Sequence, residues 1–245
     1  MVGSMNPPVP LLLLPALAAL AGLAIGAGTR RVVARHSGAE GERHGPPPVA
    51  GAVEAVTAAV LAALALRALW PEAPAGTAAW PGGRAAEITP LGRAGELLAF
   101  GWLAVVAVAL SFVDAAVHRL PDRLTLAAYL GTVVPLAVSA LADGRFGDLL
   151  GAGLGGLALA GFYLVLFLVN PAGMGLGDVK FAASLGAALG WLGWDTLVAG
   201  AFLGLLAGGL YGAALMVLRR AGRKSEIPFG PFMAVGALAA VLTAL

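Results

Sequence analysis

Two aspartates stand out in the sequence because each lies where a long apolar run meets a polar break. Asp114 follows the apolar run 101–113, and Asp178 precedes the apolar segment 181–191. If these runs cross a membrane, placing an ionisable side chain at their edge costs free energy, and such a residue is a candidate for function. The structural alternative is that both are interfacial residues, with Asp114 pairing with His118 and Asp178 capping its helix.

A pair of carboxyls supports one specific chemistry. Two carboxyls about 3 Å apart cannot both ionise, so they share a proton. The ionised member can take a proton from water while the protonated member hydrogen-bonds a scissile carbonyl, which hydrolyses a peptide bond without a metal or a covalent intermediate. Gly175 and Gly177, just before Asp178, would let an extended substrate backbone approach closely.

The elements that position these aspartates are predicted to be membrane helices. The chain has 245 residues, of which 60% are hydrophobic and 11% charged, whereas soluble domains carry about a quarter charged residues. We therefore expect an all-α, polytopic integral membrane protein whose surroundings are the lipid bilayer. The 15 basic residues are too few and scattered for nucleic-acid binding. The absence of cysteine excludes disulfides, thiolate zinc sites and cysteine nucleophiles in this chain.

Apolar runs separated by polar breaks predict a single membrane-embedded domain, residues 1–245, with about eight transmembrane helices. The helices are predicted near 8–28, 49–70, 95–113, 124–142, 147–169, 177–191, 194–218 and 229–245. The break 29–48 is predicted to be a short loop, and the Pro- and Gly-containing break 71–94 an irregular loop. Positive charge follows the first run rather than preceding it, which favours a retained span over a cleaved signal.

The distribution of Lys and Arg predicts the orientation. The breaks 29–48, 114–123, 170–176 and 219–228, together with Lys180, hold 11 of the 15 basic residues. Because cytoplasmic loops carry the excess of Lys and Arg, these breaks are expected in the cytoplasm, with 71–94 and both termini outside. Asp114 and Asp178 then lie at the same cytoplasmic level, where they can meet.

Three separated motifs make the interpretation more specific. They are G-L-G-D-V-K at 175–180, Asp114 followed by P-D-R-L-T at 121–125, and I-P-F-G-P-F at 227–232. In this order, and with eight predicted spans, they resemble the type IV prepilin peptidases, which are intramembrane aspartic peptidases of the Gly-x-Gly-Asp kind. The resemblance covers roughly residues 50–245.

The resemblance implies an aspartic endopeptidase of the plasma membrane, with Asp114 and Asp178 as the catalytic pair and no cofactor or bound metal. It implies cleavage of the basic leader of type IV prepilins or pseudopilins at the cytoplasmic face, with the substrate's apolar helix beside the enzyme in the bilayer. Glu54 in the second helix matches a supporting position of the family. The residues implied for the active-site loops are Gly175, Gly177, Lys180, Pro228, Phe229, Gly230 and Pro231. Lys180 has an alternative interpretation as an interfacial lysine reaching the headgroups.

The chain departs from the larger members of that family between helices one and two. Those members carry paired cysteines there, resembling a zinc site, and also N-methylate the new pilin terminus. Residues 29–48 hold no cysteine, which puts methyl transfer in question. Two other hypotheses use the same acids: a proton-coupled membrane carrier, which leaves the P-F-G-P segment unexplained, and a metal site at Asp114, His118, Asp122 and Asp178, in which Asp122 is better explained as a turn residue.

Overall fold

The computed structural model describes residues 13–38, 51–69, 88–171, 174–218 and 228–243. Within these ranges the secondary structure is eight helices without a strand, which confirms the all-α prediction. The helices are α1 (Leu14–Gly38), α2 (Ala52–Leu69), α3 (Pro90–Val117), α4 (Asp122–Asp143), α5 (Phe146–Val169), α6 (Leu176–Leu192), α7 (Trp194–Val217) and α8 (Gly230–Thr243).

Five of the described helices are long and apolar enough to cross a membrane, namely α1, α3, α4, α5 and α7. The helices α2, α6 and α8 have 18, 17 and 14 residues, fewer than the roughly 20 that a full span requires. The chain is therefore a polytopic helical membrane protein, as predicted, but three of the eight predicted spans are shorter than a typical full crossing.

The first helix ends later and the third helix begins earlier than predicted. The first helix continues to Gly38, so residues 29–38 of the predicted loop are helical; cationic side chains can extend a helix into the headgroup region without burying charge. The third helix begins at Pro90 rather than at residue 95. Thr89 caps it by accepting the Gly92 N–H at 3.1 Å, and proline suits the first helical position. The rest of both predicted loops, 39–48 and 71–87, lies outside the described residues.

Glycines bring neighbouring helices into backbone contact. Several of them, such as Gly151 with Gly155 and Gly186 with Gly190, are spaced four residues apart, a spacing typical of close helix packing. Between α5 and α6, a Cβ placed on Gly186 would lie 2.4 Å from the Gly155 carbonyl oxygen. Between α7 and α8, a Cβ on Gly236 would lie 2.3 Å from the Gly204 nitrogen. Since Cβ atoms essentially never approach so closely, any larger residue at Gly186 or Gly236 would force the backbones apart.

A group of polar side chains, Glu96, Arg145, Asp148 and Trp191, joins the start of α3 to the end of α6; we call it the polar clasp. The Glu96 carboxylate accepts hydrogen bonds from Arg145 at 2.5 Å and from the Trp191 indole at 3.0 Å. Arg145 also pairs with Asp148 at 2.6 Å, and its guanidinium lies 4.7 Å from the Trp191 ring centre. Burial alone would lower the pKa of Arg145, but Glu96 and Asp148 raise this pKa above its ordinary value. The clasp therefore fixes the two helices at the ends opposite Asp114 and Asp178.

Candidate active site

Asp114 lies in the last turn of α3 and is only 4% exposed. Its Oδ2 accepts a hydrogen bond from the Gly230 N–H at 2.8 Å, at the start of α8. A Cβ on residue 230 would lie 3.0 Å from the same oxygen, so the carboxylate sits directly against the backbone. The helix ends just beyond it, where His118 adopts a left-handed conformation with φ 51° and donates its N–H to the Asp114 carbonyl.

Asp178 lies in the first turn of α6 and is 6% exposed. Its Oδ2 accepts the N–H of Gly175 at 2.9 Å, which holds the carboxylate against the residue that begins the helix. This is the capping contact weighed from the sequence. The other oxygen, Oδ1, is buried and accepts no hydrogen bond from the described residues. One oxygen is thus used for positioning, and the other is buried with no donor among the described residues.

The structure brings Asp114 and Asp178 together, as their shared membrane level predicts. The two carboxyls are close enough to interact electrostatically. Gly177 contributes to this approach, because a Cβ there would lie 2.6 Å from Cβ of Leu120, in the turn that follows Asp114. Two buried acids from different helices therefore share one site, where their charges repel each other if both are ionised.

The residues predicted from the I-P-F-G-P-F motif lie at the start of α8, except Ile227, which is outside the described residues. Gly230 is the donor to Asp114, and Phe229 packs against Phe232 with ring centres 6.3 Å apart. Pro228 and Pro231 stand on either side of Phe229 and Gly230 in the sequence, and both are half-buried. The motif therefore places a backbone donor at Asp114.

The Lys180 side chain does not pair with Asp114 or Asp178. It is 51% exposed and forms an ion pair with Asp122 at 2.6 Å, where α4 begins. Asp122, which belonged to the hypothetical metal site, is thereby engaged outside the carboxyl pair. The described residues include no group of three or more His, Asp or Glu side chains placed to hold a metal ion.

Glu54 is paired with α1. Its Oε1 lies 3.0 Å from Nε of Arg30, and a Cβ on Gly26 would lie 2.5 Å from the Glu54 Cα. The residue thus belongs to a close contact between α1 and α2. A supporting role in the active site rests on the sequence resemblance alone.

Tyr163 was missed by the sequence analysis. This side chain of α5 is fully buried, interacts electrostatically with Asp178, and packs against Phe229 with ring centres 5.8 Å apart. A tyrosine hydroxyl inside an apolar run needs a polar neighbour when buried. The sequence shows a tyrosine inside an apolar run, but only the packing of α5 brings it to Asp178.

Comparison with known proteins finds one matching family. The model of the type IV leader peptidase family matches residues 101–216, a range that includes Asp114 and Asp178 but not Glu54 or Gly230. A prepilin leader peptidase/N-methyltransferase of Aeromonas salmonicida is 38% identical over 147 residues, which is 56% of this chain and 46% of the relative. A protein of the same name from Pseudomonas aeruginosa is 35% identical over 158 residues, or 61% of this chain and 50% of the relative.

A shorter relative is covered more fully. The leader peptidase HopD of Salmonella typhimurium is 36% identical over 130 residues, which is 51% of this chain and 80% of the relative. The chain spans about half the length of the peptidase/N-methyltransferase relatives. No solved structure matches the chain.

Proposed function

Because the chain belongs to the type IV leader peptidase family, we propose that it hydrolyses the leader from type IV prepilins or pseudopilins. The observation that carries the proposal is the pairing of Asp114 and Asp178 in one buried site. The ion pairs found among the described residues do not include Asp114 or Asp178, so both carboxyls are available for proton transfer.

The positions of the two acids on α3 and α6 support different roles for them. Asp178 lies at a helix N-terminus, where the helix dipole stabilises an anion, and its Oδ1 accepts no hydrogen bond from the part of the chain that the structure describes. We assign Asp178 as the general base that binds and activates water. Asp114 lies at a helix C-terminal end, where the dipole favours the neutral acid, so it carries the shared proton.

The reaction then proceeds in two steps. Asp178 removes a proton from water as the water oxygen attacks the scissile carbonyl carbon, and Asp114 gives its proton to the carbonyl oxygen. In the second step Asp114 takes the proton back from the tetrahedral intermediate while Asp178 protonates the leaving nitrogen, and the carbon–nitrogen bond breaks. Both acids return to their starting protonation states, so no further reactant is required.

Cleavage is proposed at the cytoplasmic face of the plasma membrane. The support is the charge distribution, which places the ends of α3 and α6 that carry the aspartates among 11 of the 15 basic residues. A leader at this face remains joined to the apolar part of its own chain, so the substrate would be processed while it is still in the bilayer.

The test is leader cleavage of a co-expressed type IV prepilin, with the product identified by intact mass. Asp114→Asn and Asp178→Asn keep the shape of each side chain but remove its acid–base chemistry. Each is expected to lower the cleavage rate by about 10² to 10⁴-fold at normal membrane abundance. Cleavage at the wild-type rate by both variants would refute the proposal and favour the proton-coupled carrier. An additional methyl group on the wild-type product would show that the chain also transfers methyl.

A further inference from the structure

An elongated apolar cavity of about 350 Å³ lies between α2, α3, α6 and α8; we call it the apolar groove. Its α3 lining runs from Phe100 to Ala115 in alternating steps of three residues and one residue, which keeps it on one face of the helix, and its α8 lining runs from Pro231 to Val241. At 1.5 Å per residue the α3 stripe is about 22 Å long, which is most of the roughly 30 Å thickness of a bilayer core. The groove therefore follows the direction of the helices.

One end of the apolar groove adjoins the aspartates. Ala115 is the residue next to Asp114 on α3, and Pro231 is the residue next to Gly230, which donates to the Asp114 carboxylate. The groove is thus continuous with the candidate active site at one end and extends toward the opposite membrane face at the other.

The lining of the groove excludes a polar occupant. Of its 20 residues only Ser111 has a polar side chain, and that hydroxyl donates to the Ala107 carbonyl of its own helix at 2.7 Å. A peptide segment in the groove must satisfy its own backbone hydrogen bonds, which in a membrane requires a helix. Small residues in the lining, such as Ala104 and Ala234, permit such a helix to approach closely.

The groove is accessible from the bilayer. Val56 of α2 and Val235 of α8 lie on its two rims and are 40% and 59% exposed. These two helices make few direct contacts with each other. An occupant can therefore enter sideways between α2 and α8 without leaving the hydrocarbon region.

We propose that the apolar groove seats the membrane-spanning helix of the protein substrate and presents the adjoining peptide bond to Asp114 and Asp178. This inference rests on the proposed peptidase function. A lipid chain would fill the same apolar space but has no peptide bond to present.

Crosslinking through cysteine tests the proposal, because the chain has no cysteine of its own. Ala104→Cys and Val235→Cys place a single thiol in the groove, and Ala158→Cys places one on the exposed face of α5 as a matched control. Each is combined with Asp114→Asn so that bound substrate stays intact. The probe is a type IV prepilin with one cysteine in its apolar segment, co-reconstituted in lipid nanodiscs and oxidised. The cysteine-free wild type is assayed for cleavage in parallel.

The expected result is disulfide formation with the prepilin from both groove positions, at least tenfold above the control position. If the wild type cleaves the prepilin but the groove cysteines do not exceed the control, the groove assignment is overturned and the peptidase function stands. Groove cysteines that join two copies of this chain instead would also overturn it. Crosslinking in the groove without wild-type cleavage would support the docking site and refute the proposed function.

Discussion

Replacing Gly230 by alanine tests the contact that positions Asp114. A Cβ at this residue would lie 3.0 Å from Oδ2 and 3.4 Å from Cγ of Asp114, so the carboxylate must shift by a few tenths of an ångström. The Gly230 N–H now reaches Oδ2 at 2.8 Å, and the shift would weaken this hydrogen bond. The substitution thus perturbs the acid while leaving its chemistry in place.

The size of the effect is bounded by the hydrogen bond. Asp114 becomes an anion when it gives its proton to the scissile carbonyl, and a hydrogen bond in which one partner is charged contributes about 1.5 to 3 kcal/mol, or about 10 to 150-fold in rate if it is lost entirely. Since alanine displaces the carboxylate without removing the donor, we expect the low end, about a tenfold lower cleavage rate. Gly230→Val adds bulk at the same position and is expected to approach the upper bound.

The assay is the initial rate of prepilin cleavage in nanodiscs at equal enzyme concentration. Gly161→Ala is the matched control, because a Cβ at this position in α5 meets nothing within 4 Å. The expected order is Gly161→Ala equal to wild type, Gly230→Ala about tenfold lower, and Asp114→Asn lower still. An unchanged rate for Gly230→Ala, or an equal loss in Gly161→Ala, would refute the role assigned to this contact.

Three further substitutions separate chemistry from stability. Tyr163→Phe removes only the hydroxyl near Asp178 and is expected to lower kcat by about tenfold with little change in melting temperature; an unchanged kcat would make this residue a packing element. Glu96→Gln weakens the polar clasp and leaves Arg145 with one carboxylate, so we expect a loss of about 2 kcal/mol in unfolding free energy. Thermal unfolding in nanodiscs measures it, with Trp191→Phe, which removes one hydrogen bond, expected to cost less. Lys180→Ala removes an exposed ion pair and is expected to change cleavage less than twofold, with under about 1 kcal/mol lost in stability; a large rise in KM would instead place Lys180 at the substrate.

The sequence was sufficient to predict the helices and the meeting of the two acids. Apolar runs are set by local composition, and alternation across the membrane brings residues in distant runs to one level. Asp114 and Asp178 could be paired for this reason without any knowledge of packing. The glycine spacings were equally informative, because residues four apart lie on one face of a helix.

Contacts that depend on the direction of a side chain were harder to predict. Lys180 follows Asp178 by two residues and was a candidate for the site, yet it points toward the start of α4 and pairs with Asp122. Glu54 pairs with Arg30 because α1 extends farther than the hydrophobic run indicated. Tyr163 was recognised as a site residue only from the packing of α5 against α6 and the contact of its ring with Phe229, just before α8.

The backbone contact between α5 and α6 has a mechanical consequence. With Gly155 and Gly186 touching, α6 cannot slide or rotate independently of α5. The outer face of α5 is exposed along its length, from Leu150 through Leu157 to Leu168, and so faces lipid. Helices respond to bilayer thickness by changing their tilt, and a tilt of α5 moves α6 and Asp178 with it. Asp178, at the start of α6, therefore belongs to the same closely packed helix pair as the lipid-facing surface of α5.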